Sequence, residues 1–290
     1  MPVPETTEKV GRLSNLKLNP ELFSPQEDEL EFLKKQTSID DVEKLKEHVI
    51  SVQKSAWDVV NYGCIRSFGF TKLKISHYPI YESLLALGKA RPDAIYLEFA
   101  CCFGNDARKA VADGYPVQNL YRDTPETFPV PFVPGSVFDP LLIAPAAPFS
   151  TSPLTPRPIL STLTSLTPLQ GHVAAIHASA FFHLFDKEEQ IAAARALASL
   201  LSPIPGSMIF GSHSAMEETG YLYHTSRDAE VFCFNAEDWK KVWKDIFTDG
   251  RIEVDAILLK PENIWWEAEN DNARRDDDKR RRIIWSVRRV

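Results

Sequence analysis

The sequence predicts an α/β protein in which a mainly parallel sheet, covered by helices on both faces, follows a set of N-terminal helices. Before residue 92, apolar residues recur at steps of three and four, which is the helical period. From residue 94 onward, short apolar runs alternate with helix-like segments, as in parallel sheets. The last two apolar runs have no helix between them, so an antiparallel pair of strands is expected at the end of the sheet.

The N-terminal part is expected to be a helical cap. Residues 1–22 are polar and are predicted to be a flexible N-terminus, and the cap is placed at 23–92. Ser24 and Pro25 suggest an N-cap and first helical residue, and a longer helix is expected from Ser38. A short third helix is expected over 79–88.

Residues 93–290 are predicted to form the α/β domain. A Pro/Ser/Thr-rich loop is expected over 144–171. Asp186, followed three residues later by Glu189, suggests a capping box, and Asn235 suggests the N-cap of a later helix. The expected helices span 105–112, 187–201 and a segment from 236, and the expected strands span 94–99, 172–177, 207–210, 252–259 and 282–287.

Composition excludes several classes of protein. The chain has 290 residues, and its 44% hydrophobic and 25% charged residues are typical of a globular protein. No apolar run approaches the roughly 18–20 residues of a membrane span, and the N-terminus has no apolar signal segment. A net charge of −7 opposes binding to a phosphate backbone. We therefore expect a cytoplasmic protein with no membrane span and no nucleic-acid partner.

The cysteines and histidines do not indicate a metal centre. The four cysteines include an adjacent pair but no Cys-x-x-Cys pair, and the seven histidines have no His-Glu-x-x-His spacing. Four cysteines are too few for a disulfide scaffold in a chain of this length. The sequence predicts no metal and cysteines that are reduced, buried thiols.

The end of the first predicted strand is the candidate ligand loop. In an open parallel sheet, ligands bind at the carboxyl ends of the strands. The segment from Glu98 to Asn105 contains small residues that let backbone amides approach a ligand. It has only one of the glycines of a dinucleotide fingerprint, and the chain has no P-loop Gly-Lys-Ser/Thr. From spacing alone, a cofactor loop and an ordinary strand-to-helix turn remain equal alternatives.

Several sequence blocks carry a family resemblance. They are LEFACCFG (97–104), ADG (112–114), QNLY (118–121), VFD (137–139), IHASAFFHLFD (176–186) and GSMIFG (206–211). Together they resemble the fungal class I-like S-adenosylmethionine-dependent methyltransferases of meroterpenoid and polyketide pathways, such as the austinol and andrastin carboxyl methyltransferases. The resemblance implies a Rossmann-like class I methyltransferase fold and S-adenosyl-L-methionine as the cofactor. It also implies a small secondary-metabolite acid as substrate and a methyl ester as product.

The resemblance also implies positions for the cofactor. Glu98 to Gly104 would lie under its methionine and ribose parts, Ser136 to Phe138 along the adenine, and His177 and Ala178 near the sulfonium. The implied cofactor-binding residues are Glu98, Ala100, Cys101, Cys102, Gly104, Ser136, Val137, Phe138 and Ala178.

Methyl transfer is an in-line displacement that mainly requires a positioned nucleophile. A carboxylate is already ionised, whereas a phenol benefits from a base, for which His177, His183 and His213 are candidates and His177 is preferred. The alternative for each is a structural histidine.

Three residues are candidates for substrate binding. His183 follows the predicted strand 172–177. Arg227 could pair with a substrate carboxylate, and Trp239 could line an apolar pocket. A surface arginine and a core tryptophan are the alternatives for the last two.

Three departures from the family pattern divide the functional hypotheses. Ala100 stands where the family has glycine, Ser136 stands where it has an acid, and Tyr121 is followed by neither the second strand's acid nor a full helix. The shortened 121–130 segment would follow from an omitted exon in the gene model or from real loss of function. The first hypothesis is an O-methyltransferase acting on a small acid or phenol. The second is a catalytically impaired methyltransferase-like binding protein.

A nucleic-acid or protein methyltransferase is disfavoured by the acidic pI and by the lack of an Asn-Pro-Pro-Tyr-type motif. The expected partner is a small-molecule substrate, and a homodimer remains an open alternative.

Overall fold

The computed structural model describes residues 16–121, 130–224, 229–260, 263–264 and 279–290. Its strands are β1 (Ile95–Phe99), β2 (Leu120–Tyr121), β3 (Val173–Ala178), β4 (Met208–Ala215), β5 (Gly220–His224), β6 (Ala229–Cys233), β7 (Ile252–Leu259) and β8 (Arg281–Arg289). Its α-helices are α1 (Glu27–Thr37), α2 (Val42–Val59), α3 (Gly63–Arg66), α4 (Tyr81–Ala90), α5 (Asn105–Ala112), α6 (Lys187–Leu200) and α7 (Ala236–Ile246).

Six of these strands form one sheet in the order β2-β1-β3-β4-β8-β7. Neighbours among β1 to β4 are parallel, and β8 is antiparallel to both β4 and β7. The predicted α/β class with a mainly parallel sheet is confirmed. The last two strands form the predicted antiparallel pair, with β7 at the edge and β8 one position inside it.

The sheet is covered on both faces, which explains why β3 and β4 are buried along their whole lengths. One face packs on α4 and α5, where Tyr96 and Phe210 lie in a core with Leu84. The other face packs on α6 and α7 around a cluster that includes Trp239 and Trp285. By contrast, β7 alternates half-buried and exposed residues, as an edge strand with one covered face does.

The N-terminal helices begin at other residues than predicted. Gln26 and Glu29 form the capping box of α1, so the predicted N-cap at Ser24 is wrong. Ser38, predicted to start the second helix, instead ends α1 in the left-handed conformation, with φ 57°. The N-cap of α2 is Asp41, whose carboxylate accepts the backbone N–H of Lys44 at 2.9 Å. The third expected helix is α4, which starts two residues later than predicted.

The later helix starts are confirmed. Asp186 accepts the Glu189 backbone N–H, and the Glu189 carboxylate accepts the Asp186 N–H, which closes the predicted capping box of α6. Asn235 caps α7 by accepting the Asp238 N–H at 2.7 Å. Within 144–171 the structure has two 3-10 turns, Leu160–Thr162 and Thr167–Leu169. The separate β5–β6 hairpin was not predicted.

Some predictions fall outside the part of the chain that the structure describes. They concern Arg227, residues 122–129 after β2 and most of 1–22. Among the described helices, none has both the length and the apolar character of a membrane crossing.

Candidate active site

The loop between β1 and α5 has a left-handed backbone at three of its residues. Ala100, Cys102 and Gly104 have φ values of 54°, 50° and 67°. The Gly104 N–H donates to the Cys101 carbonyl at 2.7 Å, which closes the loop just before α5. Ala100 and Cys102 are exposed, so a ligand can reach the main chain here. The loop lies at the carboxyl end of β1, where open parallel sheets bind ligands.

A buried pair of side chains lies beneath this loop. The His177 Nδ1 on β3 and the Glu98 Oε1 on β1 are 2.7 Å apart. The Tyr96 hydroxyl donates to the second oxygen of Glu98. The imidazole is fully buried, and the Phe210 ring stacks on it at 5.0 Å between centroids. Both carboxylate oxygens of Glu98 are therefore occupied by protein donors.

A second carboxylate lies beside this pair. Asp106 on α5 accepts the Ile75 backbone N–H at 3.1 Å, and single ligand atoms of Glu98, Asp106 and His177 lie within 4.8 Å of one another. Burial by itself lowers the pKa of His177, but the nearby Glu98 and Asp106 carboxylates raise it, and the net direction is upward. The imidazolium form is favoured because it faces two negative charges.

The same three groups are of the types that bind divalent metals. Hydrogen bonds from the protein already reach both carboxylates. Tyr96 and Ile75 donate to them, and His177 pairs with Glu98. Protonation of His177 offsets part of the charge of the two carboxylates.

Three hydroxyl groups meet where β3 ends beside β4. The Tyr78 oxygen is 3.0 Å from Ser179 Oγ and 2.8 Å from Ser212 Oγ, and the two serine oxygens are 3.1 Å apart. Tyr78 precedes α4, so its hydrogen bonds connect the N-terminal region to the end of β3 and to β4. This cluster was not predicted from the sequence; Ser179 directly follows β3, whereas Ser212 lies within β4.

The predicted adenine segment lies next to the end of β3. Val137 is buried, while Phe138 is 38% exposed and meets the Phe185 ring edge-on at 4.9 Å. The Phe138 N–H donates to Ser136 Oγ at 3.3 Å. Phe185 in turn contacts Phe181, which contacts Phe99 at the end of β1. A row of aromatic rings thus joins the ends of β1 and β3 to the 136–138 segment.

The other predicted residues have different surroundings. His183 is buried in a 3-10 turn after β3. His213 is buried on β4 and accepts the Trp285 indole N–H at 3.0 Å; burial lowers its pKa to about 3. Trp239 is fully buried, with its ring 4.8 Å from Phe182. For His213 and Trp239 the structure favours the alternative of a core residue over contact with a ligand.

Two exposed aromatic residues lie on the β5–β6 hairpin. Tyr221 and Tyr223 are more than half exposed, and Tyr221 contacts Phe232 at 5.2 Å. Phe232 and Phe234 are buried. These aromatic residues are therefore divided between this surface and the core.

Comparisons with known proteins identify relatives of the chain. Residues 18–71 match the model of the meroterpenoid methyltransferase N-terminal domain. The chain is 28% identical to the O-methyltransferase phiE of Fungal sp. (strain ATCC 74256), over 70% of this chain and 66% of that protein. It is 28% identical to the methyltransferase ausD of Aspergillus calidoustus, over 80% and 81%. Among solved structures, the [4+2]-cyclase SpnF aligns with a TM-score of 0.43 and 14% identity, over 72% of this chain and 81% of SpnF.

The relatives confirm the resemblance read from the sequence blocks. Both sequence relatives are named as methyltransferases, and the matched N-terminal domain is that of meroterpenoid methyltransferases. The chain spans just under two thirds of phiE and about four fifths of ausD. It is thus a homologue of fungal secondary-metabolite methyltransferases.

Proposed function

We propose that this homologue of fungal methyltransferases is an S-adenosylmethionine-dependent O-methyltransferase acting on the carboxylate of a small secondary metabolite, such as a polyketide or meroterpenoid acid. The observation that carries the proposal is the loop after β1. Ala100, Cys102 and Gly104 have a left-handed backbone there, and the exposed part of the loop lies at the carboxyl end of β1, where open parallel sheets bind ligands. The methyltransferase names of the sequence relatives support the reaction class.

The residues present fit the cofactor at this edge. The 98–104 main chain would lie under its methionine and ribose parts, and the exposed ring of Phe138 offers an apolar face for the adenine. Val137 and Ala178 are buried, and Ser136 supplies a hydroxyl. The bound cofactor would supply a methyl group on a sulfonium, and the chain's task is to hold the acceptor oxygen in line with it.

The state of His177 favours a carboxylate substrate over a phenol. A phenol has a pKa near about 10 and gains from a general base. His177 is enclosed and paired with Glu98, and the carboxylates around it favour the protonated form. Because its Nδ1 faces Glu98 and its ring is fully buried, we assign His177 to holding Glu98 and the end of β1 in position. A carboxylate substrate needs no base.

The second hypothesis is a protein that binds the cofactor or substrate without turnover. The sequence feature behind it is the absence of an evident acid after Tyr121, where the family places the residue that accepts the ribose hydroxyls. Binding and turnover must therefore be measured separately.

The first experiment is calorimetric titration of the full chain with S-adenosylhomocysteine. We expect micromolar binding. Phe138→Ala should weaken it at least tenfold because the adenine loses its apolar face. Leu141→Ala, three residues away and 82% exposed, is the matched control and should bind as the wild type does. A folded wild-type chain that fails to bind at millimolar ligand would reject the proposal.

The second experiment tests turnover with methyl-labelled S-adenosylmethionine and a panel of aromatic and prenylated acids. Label in a base-labile methyl ester supports the carboxylate reaction. Label in an alkali-stable methyl ether would show a phenol substrate instead. Cofactor binding with no labelled product from any acid or phenol would favour the binding-protein hypothesis.

A further inference from the structure

The three hydroxyl groups at the end of β3 lie beside the loop after β1. These two strands are parallel neighbours, and Phe99, the last residue of β1, is paired with Ala178, the last residue of β3. Ala100 and Ser179 therefore begin neighbouring loops at the same level of the sheet, where adjacent strands are about 4.8 Å apart. Ser179 thus lies next to the main chain that we propose for the cofactor.

The main chain around Ser179 is fixed on both sides. The residue that follows it, Ala180, has a left-handed backbone with φ 54°, and its N–H donates to the Ser212 carbonyl at 2.6 Å. The residue that precedes it, Ala178, has its carbonyl so close to Gly211 that a Cβ there would have no room. Because the backbone is already held, the Ser179 hydroxyl can bind a ligand with little loss of conformational freedom.

Ser179 is the accessible member of the three hydroxyl groups. It is half-buried, whereas Tyr78 and Ser212 are each 3% exposed. Burial raises the pKa of Tyr78 well above its ordinary value, so its hydroxyl stays protonated and remains a donor.

The oxygen–oxygen distances allow a directed chain of hydrogen bonds. Ser212 can donate to Tyr78 over 2.8 Å, and Tyr78 can donate to Ser179 over 3.0 Å. The Ser179 hydrogen can then close the ring on Ser212, whose oxygen is 3.1 Å away, or turn to a ligand acceptor. Each bond in such a chain polarises the next, so the last donor is strengthened.

The charges around these hydroxyl groups have opposite signs on the two sides. On the β1 side lie the Glu98 and Asp106 carboxylates, which also raise the pKa of Tyr78. On the β8 side, the buried Arg282 guanidinium donates to Ser214 Oγ at 3.1 Å. Ser214 is on the same face of β4 as Ser212 and about 7 Å further along the strand. A cation is therefore favoured toward β1, and an anion toward β8.

We propose that Ser179 is a substrate-binding residue whose hydroxyl donates to the acceptor carboxylate, and that Tyr78 and Ser212 are positioning residues that act through it. This inference rests on the proposed function and names the group that holds its substrate. A neutral hydroxyl orients a carboxylate oxygen without pairing it with a full positive charge. The oxygen thus keeps more of its nucleophilic character than it would beside a guanidinium.

The first test measures carboxylate binding without turnover. The full chain is titrated with 4-fluorobenzoate and, separately, with the neutral 4-fluorobenzamide, which has the same shape, and fluorine NMR reports both affinities. The wild type should bind the acid at millimolar concentration and at least threefold more tightly than the amide. Ser179→Ala should weaken the acid at least tenfold and remove this preference, because a hydrogen bond to a charged acceptor is lost. Ser179→Thr keeps the hydroxyl and should bind the acid within threefold of the wild type.

A double-mutant cycle separates positioning from a merely structural role. Tyr78→Phe and Ser212→Ala should each weaken 4-fluorobenzoate about threefold, and neither should have a further effect when combined with Ser179→Ala. Ser76→Ala is the matched control, because its hydroxyl donates to the Leu73 carbonyl at 3.0 Å in the segment before Tyr78. It should bind the acid as the wild type does.

The outcomes separate this inference from the proposed function. A folded wild type that does not bind 4-fluorobenzoate at millimolar concentration, or a Ser179→Ala variant that binds it normally, overturns the role of Ser179. Additive effects in the cycle overturn the positioning role of Tyr78 and Ser212. S-adenosylhomocysteine is titrated separately: a chain that binds the acid through Ser179 but not this ligand rejects the proposed function and retains the carboxylate site.

Discussion

At the scale of single residues, the backbone of the loop after β1 carries a steric cost that its sequence does not relieve. Ala100 and Cys102 have positive φ values although neither is glycine. A left-handed residue with a Cβ costs roughly 1–2 kcal/mol, because the Cβ crowds the following carbonyl. The structure therefore explains the family's glycine at the position of Ala100: it would reach this conformation without that cost.

We predict that Ala100→Gly stabilises the chain. Relief of the left-handed cost exceeds the extra unfolded-state entropy of glycine, roughly 0.5–1 kcal/mol, so the free energy of unfolding should rise by about 0.5–1 kcal/mol. Urea denaturation measures it. Ala107→Gly in the middle of α5 is the control and should lower stability by about 1 kcal/mol. Equal losses in both variants would contradict the backbone assignment.

Two buried histidines should make the free energy of unfolding depend on pH in opposite directions. Burial lowers the folded-state pKa of His213 to about 3, against an ordinary 6.5. The folded state contains the neutral imidazole, so His213 contributes to stability above pH 6.5. This contribution is lost as the pH falls toward 3, and the free energy of unfolding then declines by up to roughly 1.4 kcal/mol per pH unit. His213→Gln keeps an acceptor for the Trp285 N–H, and should flatten the decline of the unfolding free energy between pH 6.5 and 4.5.

His177 supplies the contrasting measurement. Its folded-state pKa is raised, so its contribution is fully present below pH 6.5 and is lost as the pH rises through the folded value. His177→Gln should therefore reduce stability more at pH 6 than at pH 9, when urea unfolding is compared with the wild type at both pH values. A penalty that is equal at both, or larger at pH 9, would show that the Glu98 contact does not depend on the imidazolium.

At the scale of elements, β3 and β4 approach each other more closely than a side chain allows at one position. A Cβ built on Gly211 would lie 2.0 Å from the Ala178 carbonyl oxygen. We predict that Gly211→Ala pushes the end of β3 away and lowers the free energy of unfolding by about 3 kcal/mol or more, the upper end of overpacking costs. Gly220→Ala is the control, because a Cβ there meets no atom within 4 Å. Urea midpoints of the two variants should differ clearly; similar midpoints would mean that the strands can separate at little cost.

Elements with a strong local signal were predictable, and those defined by distant contacts were not. The predicted bounds of β7, 252–259, are confirmed, and Asp186 and Asn235 mark the starts of α6 and α7 as predicted. Ser38 was misread because serine at that point suggested an N-cap, whereas the chain there turns left-handed after α1. No strand was predicted between 210 and 236, so the β5–β6 hairpin was missed.

At the scale of the whole molecule, the order of the strands and the partners at the site depend on contacts between remote residues. Glu98 and His177 could each be placed at a strand end from the sequence. Their pairing, however, follows from the register between β1 and β3. The position of Tyr78 could not be predicted from the sequence, because its partners Ser179 and Ser212 lie 101 and 134 residues later in the chain.

These contacts mechanically couple the N-terminal helices to the candidate loop. The Ile75 N–H is bonded to Asp106, and Phe70 packs on Phe103. An amide held by a hydrogen bond exchanges with solvent only when that bond opens. A ligand that stabilises the loop and α5 should therefore also slow opening in the segment around Ile75, although the ligand does not touch it.

We predict that S-adenosylhomocysteine slows hydrogen–deuterium exchange in peptides covering 70–78 as well as in those covering 98–108. Peptides covering β7, at the far edge of the sheet, should be unchanged. Phe103→Ala removes one of the coupling contacts and should reduce the protection of 70–78 while ligand binding still protects 98–108. Protection confined to 98–108 in the wild type would show that the N-terminal helices move independently of the site. Equal protection of 70–78 in wild type and Phe103→Ala would show that Asp106 and Tyr78 carry the coupling without the ring contact.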